Sequence, residues 1–352
     1  MKLTAQDGLW TTGGALAEPP AVAVLEVAGA VLAWTVDDPA APVHLTFTDI
    51  AAADWLWRVA GESGHVALVA AIGDAMPEPS AVIDVAGVEL AAEPLGRLRR
   101  LALGHWLRRW WPASMRDSIV ELDAAVLDVE IAVLTAAAQD YFVDDTFDSD
   151  VEALLRPHRD VLAGLGSSAD PRITELLESC ADLVDLPDPV DAPASWRRDD
   201  YALAAGGAGT ATQPPIARGT ASISWGAVPP AVFDAAEDTV DWAVHADDAG
   251  RVILTVRTAV RAPADGIPVR FRGNGIAADA VLAADGTTTA ELPITESAAW
   301  NHDWRTALLT VGGPATESRE ARDRIRAFVR SRSRDGAADA FLAEVLAAES
   351  DY

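Results

Sequence analysis

Apolar positions fall into three successive patterns along the chain: short β-branched runs at the start, a helical period in the middle, and period-two alternation after residue 217. Ala21–Val27, Ala30–Val36 and Val43–Thr48 predict strands, the first two separated by Gly29. Asp49 stands where it can cap a short helix through Val59 that Gly61 closes. Val66–Ile72 and Val82–Leu90 return to strand character, so residues 1–94 read as a mixed α/β region.

Residues 95–186 predict a helical region packed on it. Leu98, Leu101, Trp106, Leu107, Trp110 and Trp111 wrap most of one helix surface, which requires burial on several sides before Pro112 closes it. Ser118 and Glu121 have capping-box spacing ahead of Leu122, Val126, Val129 and Val133. Further helices are expected over Val151–Leu165 and from Asp170-Pro171, the latter turning Ile173, Leu176, Leu177, Cys180 and Val184 inward.

Residues 187–217 sustain neither period. Prolines at 187, 189, 193, 214 and 215 and glycines at 206, 207 and 209 predict a linker or long loop. Residues 218–312 then carry candidate strands at Ala221–Trp225, Thr239–Ala246, Arg251–Ala259, Pro268–Arg272, Ala277–Leu282, Thr287–Leu292 and Thr306–Val311. Asp248-Ala249-Gly250 and Ala284-Asp285-Gly286 supply turns between them. Short strands at this spacing predict an antiparallel sandwich. Residues 313–352 return to helix, opened by Thr316 and Glu317 and broken near Gly336. The fold class is therefore α+β: a mixed β/α part with a helical bundle, an all-β immunoglobulin-like sandwich, and a C-terminal helix.

Composition narrows the partners. A net charge of −27 over 352 residues repels phosphates, which argues against nucleic acid and anionic lipid. Lys2 is the only lysine, a bias expected of a GC-rich bacterial genome. No apolar run follows Met1, and the apolar stretch 21–34 contains Glu26 and is too short to span a bilayer. The expectation is a cytoplasmic protein without a membrane role. Cys180 is the single cysteine, which excludes an intramolecular disulfide and a cysteine-based zinc cluster.

Charge is also unevenly placed. Residues 117–191 hold 19 acids and 3 bases, whereas 97–116 hold six arginines and no acid. Those arginines can pair with the acidic helices that follow, or Arg108, Arg109, Trp110 and Trp111 can present an anion or aromatic-ligand site. Asp144, Asp145, Asp148 and Asp150, with Asp140 and Glu152 nearby, form the densest carboxylate cluster. Hard cations need oxygen ligands gathered in this way, but the spacing is not that of an EF-hand loop, and acids are expected at a helix start. No metal or cofactor is expected.

The six histidines form no His-Glu-x-x-His motif, and neither a Gly-x-Ser-x-Gly elbow nor a Walker A loop occurs. Trp300-Asn301-His302-Asp303-Trp304 combines two indoles, an amide, an imidazole and a carboxylate in one loop. Trp300, His302, Asp303 and Trp304 either bind a ligand or plug the end of a sandwich core. Arginines at 319, 322, 324, 326, 330, 332 and 334 suit docking on an acidic surface of this chain or of a partner.

Two strings resemble known proteins. Ala280–Pro293 resembles the strand-turn-strand of immunoglobulin-like and transthyretin-like modules. Gly104-His105-Trp106-Leu107-Arg108-Arg109-Trp110-Trp111-Pro112-Ala113-Ser114 resembles a segment of uncharacterised actinobacterial proteins, some encoded near NTPases in conflict systems. That resemblance implies an accessory component and brings no activity with it. The expected function is a non-enzymatic interaction or scaffold subunit of a bacterial multi-protein system. Its surfaces would be the acids of 121–152 and the Arg-rich helix after 316, facing protein partners, one of them with a basic surface. The alternatives are a metal-dependent enzyme or effector built on Asp144–Glu152, and a ligand-binding module using the 300–304 loop.

Overall fold

The computed structural model describes every residue except 15, 74, 76, 143–145, 148–150, 166–169, 182–213, 315–316 and 351–352. The chain divides into two compact units: residues 1–111, 121–191 and 319–352, and residues 112–120 with 192–318.

The first unit holds an antiparallel sheet of β1 (Lys2–Gln6), β2 (Leu9–Thr11), β3 (Val22–Val27), β4 (Ala30–Thr35), β5 (His44–Phe47) and β6 (Val82–Asp84), in the order β3-β4-β5-β2-β1-β6. The expected β3–β4 hairpin forms, with Val27 opposite Ala30 and Gly29 at φ 70° in the turn. β1 and β2 escape the sequence pattern because they are short and one face of β1 is polar.

Asp49 caps a 3-10 turn over Ile50–Ala52, and α1 (Leu56–Gly73) follows, interrupted at Gly61 with φ 71°. The strand expected at Val66–Ile72 is instead the second half of α1. Gly64, Leu68 and Ile72 are buried at steps of four while Val66 and Val69 face outward, so the core selected the helical period over β propensity. Of Val82–Leu90, only β6 pairs, against β1.

α2 (Ala92–Trp110), α3 (Ala124–Tyr141), α4 (Val151–Leu155), α5 (Arg159–Leu165) and α6 (Pro171–Ala181) make the helical part. Every residue from Ala125 to Ala132 is buried, which places α3 at its centre. The box expected at Ser118 and Glu121 is not what starts α3. Asp123 caps it instead, accepting from the N–H groups of Ala125 at 2.9 Å and Val126 at 3.0 Å, while Ser118 sits at φ 53°. On α2, Gly104 allows close approach: a Cβ there would lie 2.8 Å from Ile131 of α3. Cys180 is buried, as its place on α6 implies, and burial pushes its thiol pKa up.

The second unit is the sandwich, with β7 (Ala217–Ala221), β8 (Val240–Ala246), β9 (Arg251–Thr258), β10 (Pro268–Gly273), β11 (Ile276–Val281), β12 (Thr287–Thr295) and β13 (Leu308–Val311). A four-stranded sheet, β12-β9-β8-β7, faces a three-stranded one, β11-β10-β13. Inward residues of both sheets, among them Val240, Trp242, Leu254, Val256, Phe271 and Leu309, form one core. Trp242 meets Phe271 edge-on at 5.4 Å, and burying each such ring contributes roughly 1.5–3 kcal/mol or more. The strand expected at Ala221–Trp225 is displaced: β7 ends at Ala221, and Trp225–Ala227 is a 3-10 turn. A short helix, α7 (Glu296–Trp300), follows β12.

The chain then returns to the first unit with α8 (Arg319–Asp335) and α9 (Leu342–Ser350), separated at Gly336 with φ 59°. Ile325 and Val329 of α8 are fully buried.

Candidate functional site

The Arg-rich helix docks on its own unit. Arg324 pairs with Asp37, and Arg332 contacts Glu344 at 2.6 Å and Asp339 at 2.9 Å. Arg322 and Arg326 are themselves buried. Three described acids of 121–152 are likewise engaged within the fold. Asp123 is a helix cap, and Glu130 accepts from Leu342 N–H at 2.7 Å and Ala343 N–H at 3.1 Å at the start of α9. Asp128 is buried 2.8 Å from both Arg108 Nε and His158 Nε2. Among the described residues, no three His, Cys, Asp or Glu side chains gather as metal ligands. Asp144, Asp145, Asp148 and Asp150 lie outside the described residues.

The Trp-Arg string of α2 works mainly as packing. Trp106 is buried and donates from Nε1 to Pro20 O at 2.6 Å. Arg108 is tied to Asp128, and the Arg109 guanidinium lies 4.5 Å from the Trp110 ring. Trp110 and Trp111 are half-buried. Burial, and then the Arg108 charge, lower the pKa of His105 below the usual histidine value, while Asp128 opposes them. Past Pro112, Ser114 Oγ donates to the buried Asp234 at 2.6 Å.

The 300–304 loop is divided between core and solvent. Trp304 donates to Ala299 O at 2.9 Å, and its ring lies 6.2 Å from Phe271, so it plugs the sandwich end. His302 stacks edge-on with Trp304 at 4.5 Å. Asp303 is held by Arg305 and its N–H, which draws its pKa down to about 2. Trp300 is 53% exposed, and Asp303 is exposed as well.

What the residues do bring together is a cleft of about 1020 Å³ over the outward face of β12-β9-β8-β7. Strand pairing sets its layout. One row across the sheet reads Thr287, Arg257, Asp241, Thr220, and the next reads Thr289, Thr255, Ala243, Arg218. His245 lies two residues beyond Ala243 on β8, hence on the same face. Ala243 is a small residue in this second row, between Thr255 and Arg218.

Most polar groups of the cleft are committed. Arg257 stands directly across from Asp241, and its charge, after hydrogen bonds from the Thr287 hydroxyl and N–H, helps hold Asp285 below the usual carboxylate range. His245 Nε2 lies 2.9 Å from Thr255 Oγ1, and Thr255 Oγ1 donates to Ala243 O at 3.3 Å. His245 Nδ1 is buried without a partner among the described residues.

No known protein family, curated protein or solved structure matches the chain.

One charge in the cleft is uncommitted. Other sandwich arginines have carboxylate or carbonyl partners, such as Asp247 for Arg251, Gly312 O for Arg270, Asp279 for Arg272 and Asp303 for Arg305. Among the described residues, nothing is paired with Arg218. Sequence reasoning missed this site. Strand alternation assigns each residue a face, but only the register between strands brings Arg218, Ala243, Thr255 and His245 together.

Proposed function

We propose that this chain is a non-enzymatic interaction subunit whose recognition surface is the outward face of the β12-β9-β8-β7 sheet. The observation that carries the reading is the cleft containing Arg218, a cation without a partner among the described residues in a chain of net charge −27. Arg218 is exposed on β7, so a group from outside the chain can reach it.

Binding fits the site better than catalysis does. The Thr255 hydroxyl is shared between His245 Nε2 and the Ala243 carbonyl, and no carboxylate orients the imidazole from Nδ1, which has no partner among the described residues. The resemblance of residues 104–114 to accessory proteins of conflict systems supports a place in a bacterial multi-protein assembly.

The test is site-specific photocrosslinking in cells that make the protein. A photoreactive residue at Thr289, on the cleft, should yield a discrete protein adduct, while one at Thr310, on the outward face of the other sheet, should not. Equal adducts from both positions, or none from Thr289, would remove the proposal.

A further inference from the structure

We infer that two copies of this chain pair antiparallel along β7, joining their four-stranded sheets into one continuous sheet. β7 ends the order β12-β9-β8-β7, and no strand among the described residues pairs with its far side. Its register with β8 runs unbroken through all five residues, without the bulge or proline that commonly blunts an edge. Arg218 and Thr220 are exposed. Such an edge presents main-chain N–H and C=O groups, which an identical strand satisfies in return.

Symmetry restricts the register. Residues directly opposite on antiparallel strands share a face, so a two-fold axis perpendicular to the sheet must pass through a residue of β7 rather than between two. An axis through Arg218 would set two guanidinium groups side by side, which is destabilising. An axis through Gly219 uses the whole strand: Ala217 faces the second copy's Ala221, and Arg218 faces the second copy's Thr220. Beyond Thr220 that row continues to Asp241, Arg257 and Thr287. Strands lie roughly 4.8 Å apart, so Arg218 stands roughly 10 Å from the second copy's Asp241, a span that an extended arginine and an aspartate close between them.

The charges on the two sides of this axis are complementary. Within one chain Arg257 serves two carboxylates, Asp241 across from it and Asp285. That row therefore holds one negative charge more than its own cation neutralises, while Arg218 has no partner among the described residues. The axis makes the contact reciprocal, each Arg218 meeting the other copy's Asp241, as an isologous interface requires. This local match lets two chains of net charge −27 approach at this edge. The dimer stands apart from the recognition face tested at Thr289, because Thr289 lies on β12 at the opposite edge of the sheet.

A competing explanation is that Arg218 only guards the edge against self-association, a common use of edge charges. Sedimentation velocity of the full chain over a concentration series separates the two. The wild type should pass from monomer to dimer as concentration rises. Arg218→Glu reverses both reciprocal contacts and should weaken the dimer about tenfold. Arg218→Glu with Asp241→Arg should restore it. Circular dichroism and thermal melts matched to the wild type confirm that the variants fold. Amide hydrogen exchange on the wild type needs no variant: residues 217–221 should exchange more slowly as the dimer fills, and β12 should not change.

A wild type that stays monomeric at every concentration overturns the inference, and one that self-associates only after Arg218→Gln overturns it in favour of the guard. A dimer that Arg218→Glu leaves unchanged, that the double exchange fails to restore, or that leaves the amides of 217–221 unprotected overturns it as well.

Discussion

Arg332 on α8 and Glu344 on α9 meet as a two-pronged ion pair, Nε to Oε1 and Nη2 to Oε2, both at 2.6 Å. Their side chains are only 7% and 5% exposed. Glu344 also accepts from Phe341 N–H at 2.9 Å, and Asp339 flanks Arg332 at 2.9 Å. Removing one partner strands a buried charge, so Arg332→Met should destabilise the first unit by about 3–5 kcal/mol. Arg332→Met with Glu344→Leu should recover part of that loss. Denaturant unfolding of the three proteins checks this, and a single variant as stable as wild type would contradict it.

Glu130 makes the stability of the first unit depend on pH. Burial raises its pKa, and the α9 N–H groups and Arg100 only partly offset this. The folded chain therefore keeps a proton on Glu130 at pH values where the unfolded chain has lost it. The contribution of this group is fully present below the ordinary glutamate pKa and declines as pH rises through the raised value. Glu130→Gln should flatten that decline in a series of melts from acid to neutral pH.

Asp234 ties residues 112–120 to the sandwich. It accepts from Ser114 Oγ at 2.6 Å and from the N–H groups of Met115 and Ala236, both at 2.9 Å. Asp234→Ala leaves those donors short of partners, which should cost the second unit roughly 2–4 kcal/mol, at about 1–3 kcal/mol per buried unsatisfied group. Asp234→Asn, retaining an acceptor oxygen, should lose less. Urea titration read by tryptophan fluorescence compares them.

Gly104→Ala sets two effects against each other. Helix propensity favours alanine by about 1 kcal/mol. The new Cβ would stand 2.8 Å from Ile131 and 3.1 Å from Phe341, and overpacking typically costs about 1–3 kcal/mol. A net loss of stability is expected. Gly96→Ala, on the same helix with nothing within 4 Å of its Cβ, should gain instead.

The sandwich was legible because its strands alternate cleanly, as β9 shows with Val252, Leu254 and Val256 inward. α1 was not, since Val66–Ile72 suits either period until Gly64, Leu68 and Ile72 meet a core. Asp123 rather than Ser118 caps α3, because the segment before it turns back so that Ser114 bridges Ile119. The partners of Glu130 and Arg332 depend on where α9 lands, and no local pattern encodes that. The cleft was hidden for a related reason: Arg218 and Ala243 are 25 residues apart in sequence and become neighbours only through the β7–β8 register.

The way the chain leaves the first unit and comes back to it sets an order of events during synthesis. Residues 217–311 contain every strand of the sandwich, so that unit can close soon after they emerge from the ribosome. The helices of residues 1–181 must wait for the segment from α8 to α9, which brings the buried side chains of Ile325, Val329 and Phe341 and the N–H groups that Glu130 accepts from. Until α8 and α9 have been made, the earlier helices keep apolar surface open to chaperones, so the unit begun first is completed after the sandwich.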